Sequence, residues 1–433
     1  MKIVRFLILI LSLTSLNLYA QDIESDSTEV KKGAIEELKY IKQPGFANAS
    51  SKIFSSDRRY SISGFGEINY VNYHGGPKNT SSGELELYYT NLYRFGTYFG
   101  YRFTDKFILM SELQMEFMHD GFNKGEFDYG LEFSFDYLFN PYFNVRVGNY
   151  PLGLGFVNVN EEPIAFYTVN RPEVERVLIP TQWLELGVNF YGNIIEDLEY
   201  HAGVTKGMDA MAFRTGTWVR DGRTNPFHDD IGGWAVNGKL QYGHEDHVLL
   251  ALAGYYGDAS MNNTLSFEGK QGQKLESNLG MFTAVGAYTQ GPWSFFGMFM
   301  KGWLSGTEDL YKENIQRDGS DINQSSYVLG AETMGYYGEV RYDLFDLFKM
   351  NTEKKLPLFV RYEVVNTHQK VDDYFVKNDI DFVGNNLEVI SVGLNFRPKK
   401  NWTFKADYQF RNNRYESAGE TPNQFEMGVG FIY

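Results

Sequence analysis

The 433-residue chain contains no cysteine. Disulfides and thiolate metal sites are thereby excluded, and an oxidising compartment poses no folding problem. Beyond the N-terminus, no run reaches the eighteen or so apolar residues that a membrane-spanning helix requires. There is no G-x-S-x-G, no phosphate-cradling Gly loop followed by Lys-Ser/Thr, and no basic patch, so a nucleic-acid partner is not expected. The seven His show no metal-like spacing. His244 and His247 fall on a short turn and His228-Asp229-Asp230 in a long loop, and neither a metal nor a cofactor is expected.

What the chain has is 35 Phe, 31 Tyr and 44 Gly, with a mean hydropathy below zero. Aromatic and Gly richness with short alternating segments suits a closed β-barrel in an outer membrane. A soluble sandwich or propeller shares that composition. Residues 1–20 favour the membrane: Lys2 and Arg5 precede an apolar Ile3 to Leu16, and Leu18-Tyr19-Ala20 forms a cleavage site before Gln21, the layout of a secretory signal peptide. Removing it makes the formal net charge of −15 two units more negative. Residues 21–57 are polar and Ser-rich, with Val30 to Lys42 able to form a short amphipathic helix. They are expected on the periplasmic side, either as a tether or as a segment that plugs or docks on the barrel opening.

From Arg58 to Tyr433 the chain reads as an all-β transmembrane antiparallel barrel of sixteen strands, near 59–73, 85–103, 106–119, 126–139, 142–150, 183–193, 197–206, 232–243, 246–257, 278–290, 292–303, 326–344, 356–368, 386–397, 401–414 and 423–433. Short connections, such as Thr104-Asp105-Lys106, Asn140-Pro141 and Gly291-Pro292, alternate with long ones near 74–84, 120–125, 151–182, 207–231, 258–277, 304–325, 369–385 and 415–422. Short periplasmic turns alternating with longer outer loops is the pattern of a membrane barrel, and a soluble sandwich has no reason to sort its loops by parity.

Period-two alternation assigns the faces. Phe127, Tyr129, Leu131, Phe133, Phe135 and Tyr137 share one face, and Asp128, Glu132, Ser134 and Asp136 the other. The apolar set must meet lipid, because a basic charge there costs about 2–4 kcal/mol at the midplane. Phe404, Ala406, Tyr408 and Phe410 likewise oppose Lys405, Asp407, Gln409 and Arg411. Trp183, Trp234, Trp293, Trp303 and Trp402, near strand ends, are expected at the headgroup levels. The last strand alternates to a terminal aromatic, Tyr433. Such an ending resembles the signal that outer-membrane barrels present to their assembly machinery.

The segment V-R-V-G-N-Y-P-L-G-L-G-F (145–156), a long middle, and R-P-E-V-E-R-V-L-I-P-T-Q-W-L-E-L-G-V-N-F-Y-G (171–192) resemble the phosphate-selective porin O and P family. The match covers about fifty residues well and the remainder only by barrel layout. The resemblance implies a homotrimeric outer-membrane channel whose third outer loop narrows the pore. Residues 151–182 are the third long loop by count alone. The loop opens on Gly153 and Gly155, which permit a sharp inward bend, and its apolar Phe156, Ile164, Phe166 and Val177 need a surface to pack on. It is expected to fold into the lumen as a constriction, held by charge pairs from Arg171, Glu173, Glu175 and Arg176 to the wall; the alternative is a loop lying over the rim.

Inward basic candidates are Arg94, Arg102, Arg146, Lys239, Lys301, Arg341, Arg361, Arg397, Lys405 and Arg411, opposed by Glu112, Glu116, Asp128, Glu132, Asp136, Glu185, Glu339, Glu363, Asp407 and Glu426. Carboxylates crowd strands three and four, and Arg341, Arg361, Arg397, Lys405 and Arg411 lie on strands twelve to fifteen. Opposed walls would set a transverse field across the lumen; mutual pairing of these charges is the alternative. The expected function is passive diffusion of small polar or anionic solutes, phosphate being the solute the resemblance implies. The alternative is a barrel enzyme of lipase or protease type. It lacks a recognisable nucleophile and base around His119 or His201.

Overall fold

The computed structural model describes residues 45–56, 58–73, 91–119, 126–180, 182–224, 232–318, 324–415 and 421–433. The expected signal peptide, residues 21–44, the loops 74–84 and 120–125, and His228-Asp229-Asp230 lie outside them.

Sixteen strands form: β1 (Tyr60–Tyr73), β2 (Asn91–Arg102), β3 (Phe107–His119), β4 (Glu126–Asn140), β5 (Phe143–Pro151), β6 (Leu184–Ile195), β7 (Leu198–Lys206), β8 (Trp234–Gly243), β9 (Val248–Asp258), β10 (Asn278–Gln290), β11 (Trp293–Leu304), β12 (Glu332–Asp343), β13 (Pro357–Lys370), β14 (Asn386–Lys399), β15 (Trp402–Asn413) and β16 (Gln424–Ile432). Each pairs antiparallel with its sequence neighbours, and β16 returns to β1, so the sheet closes. A twelve-residue strand at about 3.4 Å per residue, tilted about 45°, rises roughly 29 Å, the thickness of a hydrocarbon core.

The alternation has the expected sense. Phe127, Tyr129, Leu131, Phe133 and Tyr137 are exposed on the outside, while Glu132, Ser134 and Asp136 are buried inside. The same holds for Phe404 and Phe410 against Lys405, Asp407, Gln409 and Arg411. Outward-facing groups stand exposed because the protein leaves them to lipid. Tight turns close the ends; at Gly243 (φ +72°) a Cβ would lie 2.1 Å from the Val248 carbonyl oxygen, so no other residue fits without rearrangement.

Two expectations are corrected. Strand twelve begins at Glu332 rather than at residue 326, because Gln324–Tyr327 forms a 3-10 turn and Val328 is buried with Tyr311 and Phe375 in a small apolar cluster among the long loops. Trp183 is buried inside the barrel, not at a headgroup level: its ring lies 4.8 Å from that of Tyr255 and its indole N–H donates to Glu185 (2.9 Å). Parity dictates this, since Trp183 shares the inward face of Glu185. Trp234, Trp293, Trp303 and Trp402 are exposed outside.

Leu252 is exposed on the outer face of β9. Leu252→Arg is expected to cost about 2–4 kcal/mol in denaturant-induced unfolding from liposomes if it sits near the midplane. A change under about 0.5 kcal/mol would place that face in water.

Candidate functional site: the lumen

A barrel that spends its apolar face on lipid has a polar interior, and a polar group buried there needs a partner. The segment after β5 supplies many. Between Leu152 and Ile179 the chain touches strands from nearly every side of the barrel. Gly155 N–H donates to Thr283 on β10 (3.1 Å), and the Phe156 ring lies 4.9 Å from Phe296 on β11. Val174 N–H donates to Glu363 on β13 (2.7 Å) and Val169 N–H to Asp407 on β15 (2.7 Å), while the Asn170 amide donates to Glu426 on β16 (3.0 Å). In the other direction Arg94 on β2 reaches Glu161, and Arg397 and Lys405 donate to the carbonyls of Ile164 (2.9 Å) and Thr168 (3.0 Å). Only a segment crossing the interior can meet all these walls. Gly155 makes its turn at φ +65°, and Val174–Leu178 forms a π-helical turn.

The four loop charges hold differently from expectation. Glu173 does pair with a wall residue, Arg411 (2.7 Å), and also with Arg176. Burial opposes its ionisation, but Arg176 and Arg411 win and hold the carboxyl below its usual range. Arg176 therefore braces the loop's own turn, and Arg171 lies 3.6 Å from Glu161 of the same loop. Glu175 feels Arg361 on β13 without a close ion pair to it among the described residues; it accepts from the N–H groups of Phe156 and Val157 (2.6 Å each) and from the Tyr337 hydroxyl on β12 (2.6 Å), and burial pushes its carboxyl up. It ties the two legs of the loop together. Several anchors are thus backbone groups of the loop on wall side chains, N–H on Asp407 and Glu363 and carbonyls on Arg397 and Lys405, contacts with no signature in a list of the loop's side chains.

Of the residues expected to line the lumen, those with described side chains lie on the inward parity, apart from Lys301, which shares the outward parity of Trp303 on β11, and most are matched locally. Arg94 donates to Glu67 (2.7 Å), and Glu116 lies 3.8 Å from it. Arg146 pairs with Asp136 (3.1 Å), which also accepts from the Tyr191 hydroxyl (2.6 Å). Arg341 and Arg361 both pair with Glu339. Arg341 and Arg397 flank the Tyr167 ring at 3.7 and 4.3 Å. Arg102 donates to the Ile53 carbonyl (2.6 Å). Glu112 and Glu132 stand directly opposite each other on β3 and β4, and the side chain of Asp128 is outside the described residues. The two sets of charge are opposed in part: β12 lies eight places from β4, β15 only four from β3, and Glu339, Glu363 and Asp407 sit among the basic residues, so many of the charges also meet partners nearby.

For residues 21–57 the sequence left a docking segment open as one alternative, without naming the residues that would dock. Residues 45–56 lie against the interior at the end where β1 begins and β4 ends. Arg146 donates to the Gly45 carbonyl and stacks 3.6 Å over Phe46; Ser63 donates to the Ala49 carbonyl (2.6 Å); Ile53 is fully buried with Phe46, Ile108 and Met110. Its Ala49 N–H reaches Glu162 of the loop (2.6 Å), so strap and loop meet. The apolar spacing of Phe46, Ala49 and Ile53 was its only signal.

Glu173→Gln and Arg411→Gln should each loosen the loop. In a double-mutant cycle read by unfolding or by protease susceptibility, their coupling is expected at about 0.5–3 kcal/mol; additive effects would mean the pair does not hold the loop.

The fold is similar to solved outer-membrane proteins at low identity: a complex of Salmonella typhi OmpF with daunomycin (TM-score 0.52, 8% identity, 86% of this chain and 97% of that chain) and the outer membrane channel DcaP of Acinetobacter baumannii (TM-score 0.51, 12% identity, the same coverage). In sequence, an uncharacterised protein of Aquifex aeolicus (strain VF5) is 28% identical over 376 residues, 85% of this chain and 79% of that protein. The model of the family described as phosphate-selective porin O and P matches residues 102–433. With its closed sixteen-stranded barrel, this chain belongs to the phosphate-selective porin O and P family and is a porin of the bacterial outer membrane.

Proposed function

We propose that the chain is a passive, non-enzymatic diffusion channel for small polar or anionic solutes, phosphate among them, whose path is narrowed by residues 151–182 with Arg171, Glu173, Glu175 and Arg176 at the constriction. The supporting observation is the set of bonds from Gly155, Val169, Asn170 and Val174 to strands β10, β13, β15 and β16, which carries the loop across the interior. The wall cations Arg341, Arg361, Arg397, Lys405 and Arg411 cluster beside it, and a solute of negative charge gains most from them. We assign residues 21–57 to the periplasmic side, with 45–56 forming a strap that further reduces the opening. A homotrimer, embedded in outer-membrane lipid and delivered by the barrel-assembly machinery through the C-terminal strand, completes this reading.

Planar-bilayer recording tests it. Deleting Asn158 to Asn170 should raise single-channel conductance several-fold and admit larger solutes. Deletion of Phe46 to Ser55 should raise it as well. Unchanged conductance and size cutoff in the loop deletion would show that the constriction lies elsewhere.

A further inference from the structure

On the rim of short turns, the periplasmic one in an outer-membrane barrel, one connection is longer than the rest: residues 344–356, between β12 and β13. It opens with a single helical turn, Leu344–Leu347. The Asp343 carboxylate caps that turn, accepting from the N–H groups of Phe345 (3.2 Å) and Leu356 (3.0 Å), and also pairs with Lys355 (3.1 Å). At the far end the N–H groups of Phe348 and Met350 return to the carbonyls of Leu344 (3.0 Å) and Phe345 (2.9 Å). The connection therefore has a fixed shape.

Its apolar side chains stand on the lipid side. Phe345 sets its ring edge-on to Phe396 (6.3 Å), and Phe396 neighbours the outward-facing Phe404 (6.2 Å), so the segment leans along the outer wall. Beyond it Leu347, Phe348 and Met350 are 57, 62 and 52% exposed. Trp293 and Tyr342, 4.6 Å apart on the same rim, are amphipathic rings of the kind that sit at headgroup level. Three large apolar groups just past that level meet water unless a lipid surface takes them.

Lysines surround this wedge. Lys355 and Arg397 exchange backbone hydrogen bonds in both directions (3.0 and 2.8 Å), which brings the connection beside Lys399 and Lys400 at the end of β14. Lys349, Lys354, Lys399 and Lys400 are exposed and have no ion-pair partner among the described residues. Five Lys, with Lys355, stand against three carboxylates, Asp343, Asp346 and Glu353, a local excess of two positive charges in a chain of formal net charge −15. Elsewhere on the rim the balance is reversed, at Glu196-Asp197 and Glu245-Asp246. Lys349 also sits at φ +52°, a conformation glycine would hold at less cost, so a charge stands there against the backbone's preference.

We propose that residues 344–355, with Lys399 and Lys400, form an interfacial anchor for anionic phospholipid of the inner leaflet. Leu347, Phe348 and Met350 enter the acyl boundary, and the lysines meet the headgroup phosphates. An apolar wedge and a basic cluster hold a membrane surface together where either alone binds weakly, each lysine near an anionic surface adding about a fivefold gain. The anchor rests on the placement of the barrel in outer-membrane lipid proposed above and names the lipid class it selects. It makes no demand on conduction through the lumen.

Native mass spectrometry of the full chain in detergent micelles, titrated with phosphatidylglycerol or with phosphatidylcholine of the same acyl chains, tests it. Phosphatidylglycerol is expected to bind about tenfold more tightly or better, as for two or more lysine contacts. The combined variant Lys349→Gly, Lys354→Gln, Lys399→Gln and Lys400→Gln should bring the two lipids to within about twofold. Its substitutions are on the surface, and Lys349→Gly relieves the backbone, so the barrel should fold as before. Phe348→Ser should weaken both lipids alike. Equal affinity of the unaltered chain for the two lipids, or a preference that survives the four substitutions, would overturn the anchor while leaving the barrel in its membrane; retention of neither lipid would count against the membrane placement as well. A preference seen only after residues 21–44 are removed would give the patch to that leader instead. Unchanged lipid retention with an altered oligomeric mass would make it a contact between copies, and either result would overturn the proposal.

Discussion

Hydrocarbon offers no hydrogen bonds, so each backbone N–H and C=O that crosses it must be paired within the protein. With no long apolar helix among the described residues, the sheet must therefore close, and the rest of this structure depends on the pairing that closes it. Phe65 meets Ile432 and Tyr73 meets Gln424, with reciprocal bonds between Gly64 and Tyr433 sealing the end. The terminal Tyr433 thus completes the ladder, and the Phe95 ring, 5.9 Å away, stacks on it.

Closure also determines the interior. Because Phe, Tyr and Leu are directed outward, the inward parity falls to Glu, Asp, Arg, Lys, Asn and Thr, and an interior so charged is costly unless matched. The loop and the strap supply much of the match: loop N–H groups satisfy Glu363 and Asp407, and the Gly45 and Ile53 carbonyls receive Arg146 and Arg102. Breaking one buried pair costs on the order of 3–5 kcal/mol. The loop and the strap therefore also stabilise the barrel interior.

The barrel was legible because its two strongest signals, period-two alternation and the parity of loop lengths, depend only on local sequence. Even Trp183, assigned to the wrong side, obeys the alternation once its parity with Glu185 is respected. Strand twelve was started too early because Tyr327 and Val328 read as strand residues, yet their burial comes from Tyr311 and Phe375, distant in sequence. Of the four loop charges, Glu173 meets a wall charge at Arg411 as expected, whereas the bonds of Glu175 were not legible, because they go to backbone N–H groups that carry no residue identity. The contacts of the strap stayed hidden for the same reason, although docking was one alternative for this region: Gly45 and Ala49 contribute carbonyls and amides rather than distinctive side chains.

The loop's position inside the barrel is the central claim, and the absence of native cysteine makes it directly measurable. Gly335 on β12 faces the loop closely enough that a Cβ there would lie 2.8 Å from a methyl of Val174. In the double variant Gly335→Cys with Val174→Cys, purified from the outer membrane, a disulfide should form nearly quantitatively, seen as a mobility change reversed by reductant, while either single variant shows none. Two thiols that stay free and label with maleimide under the same oxidation would contradict a loop seated against the wall at β12.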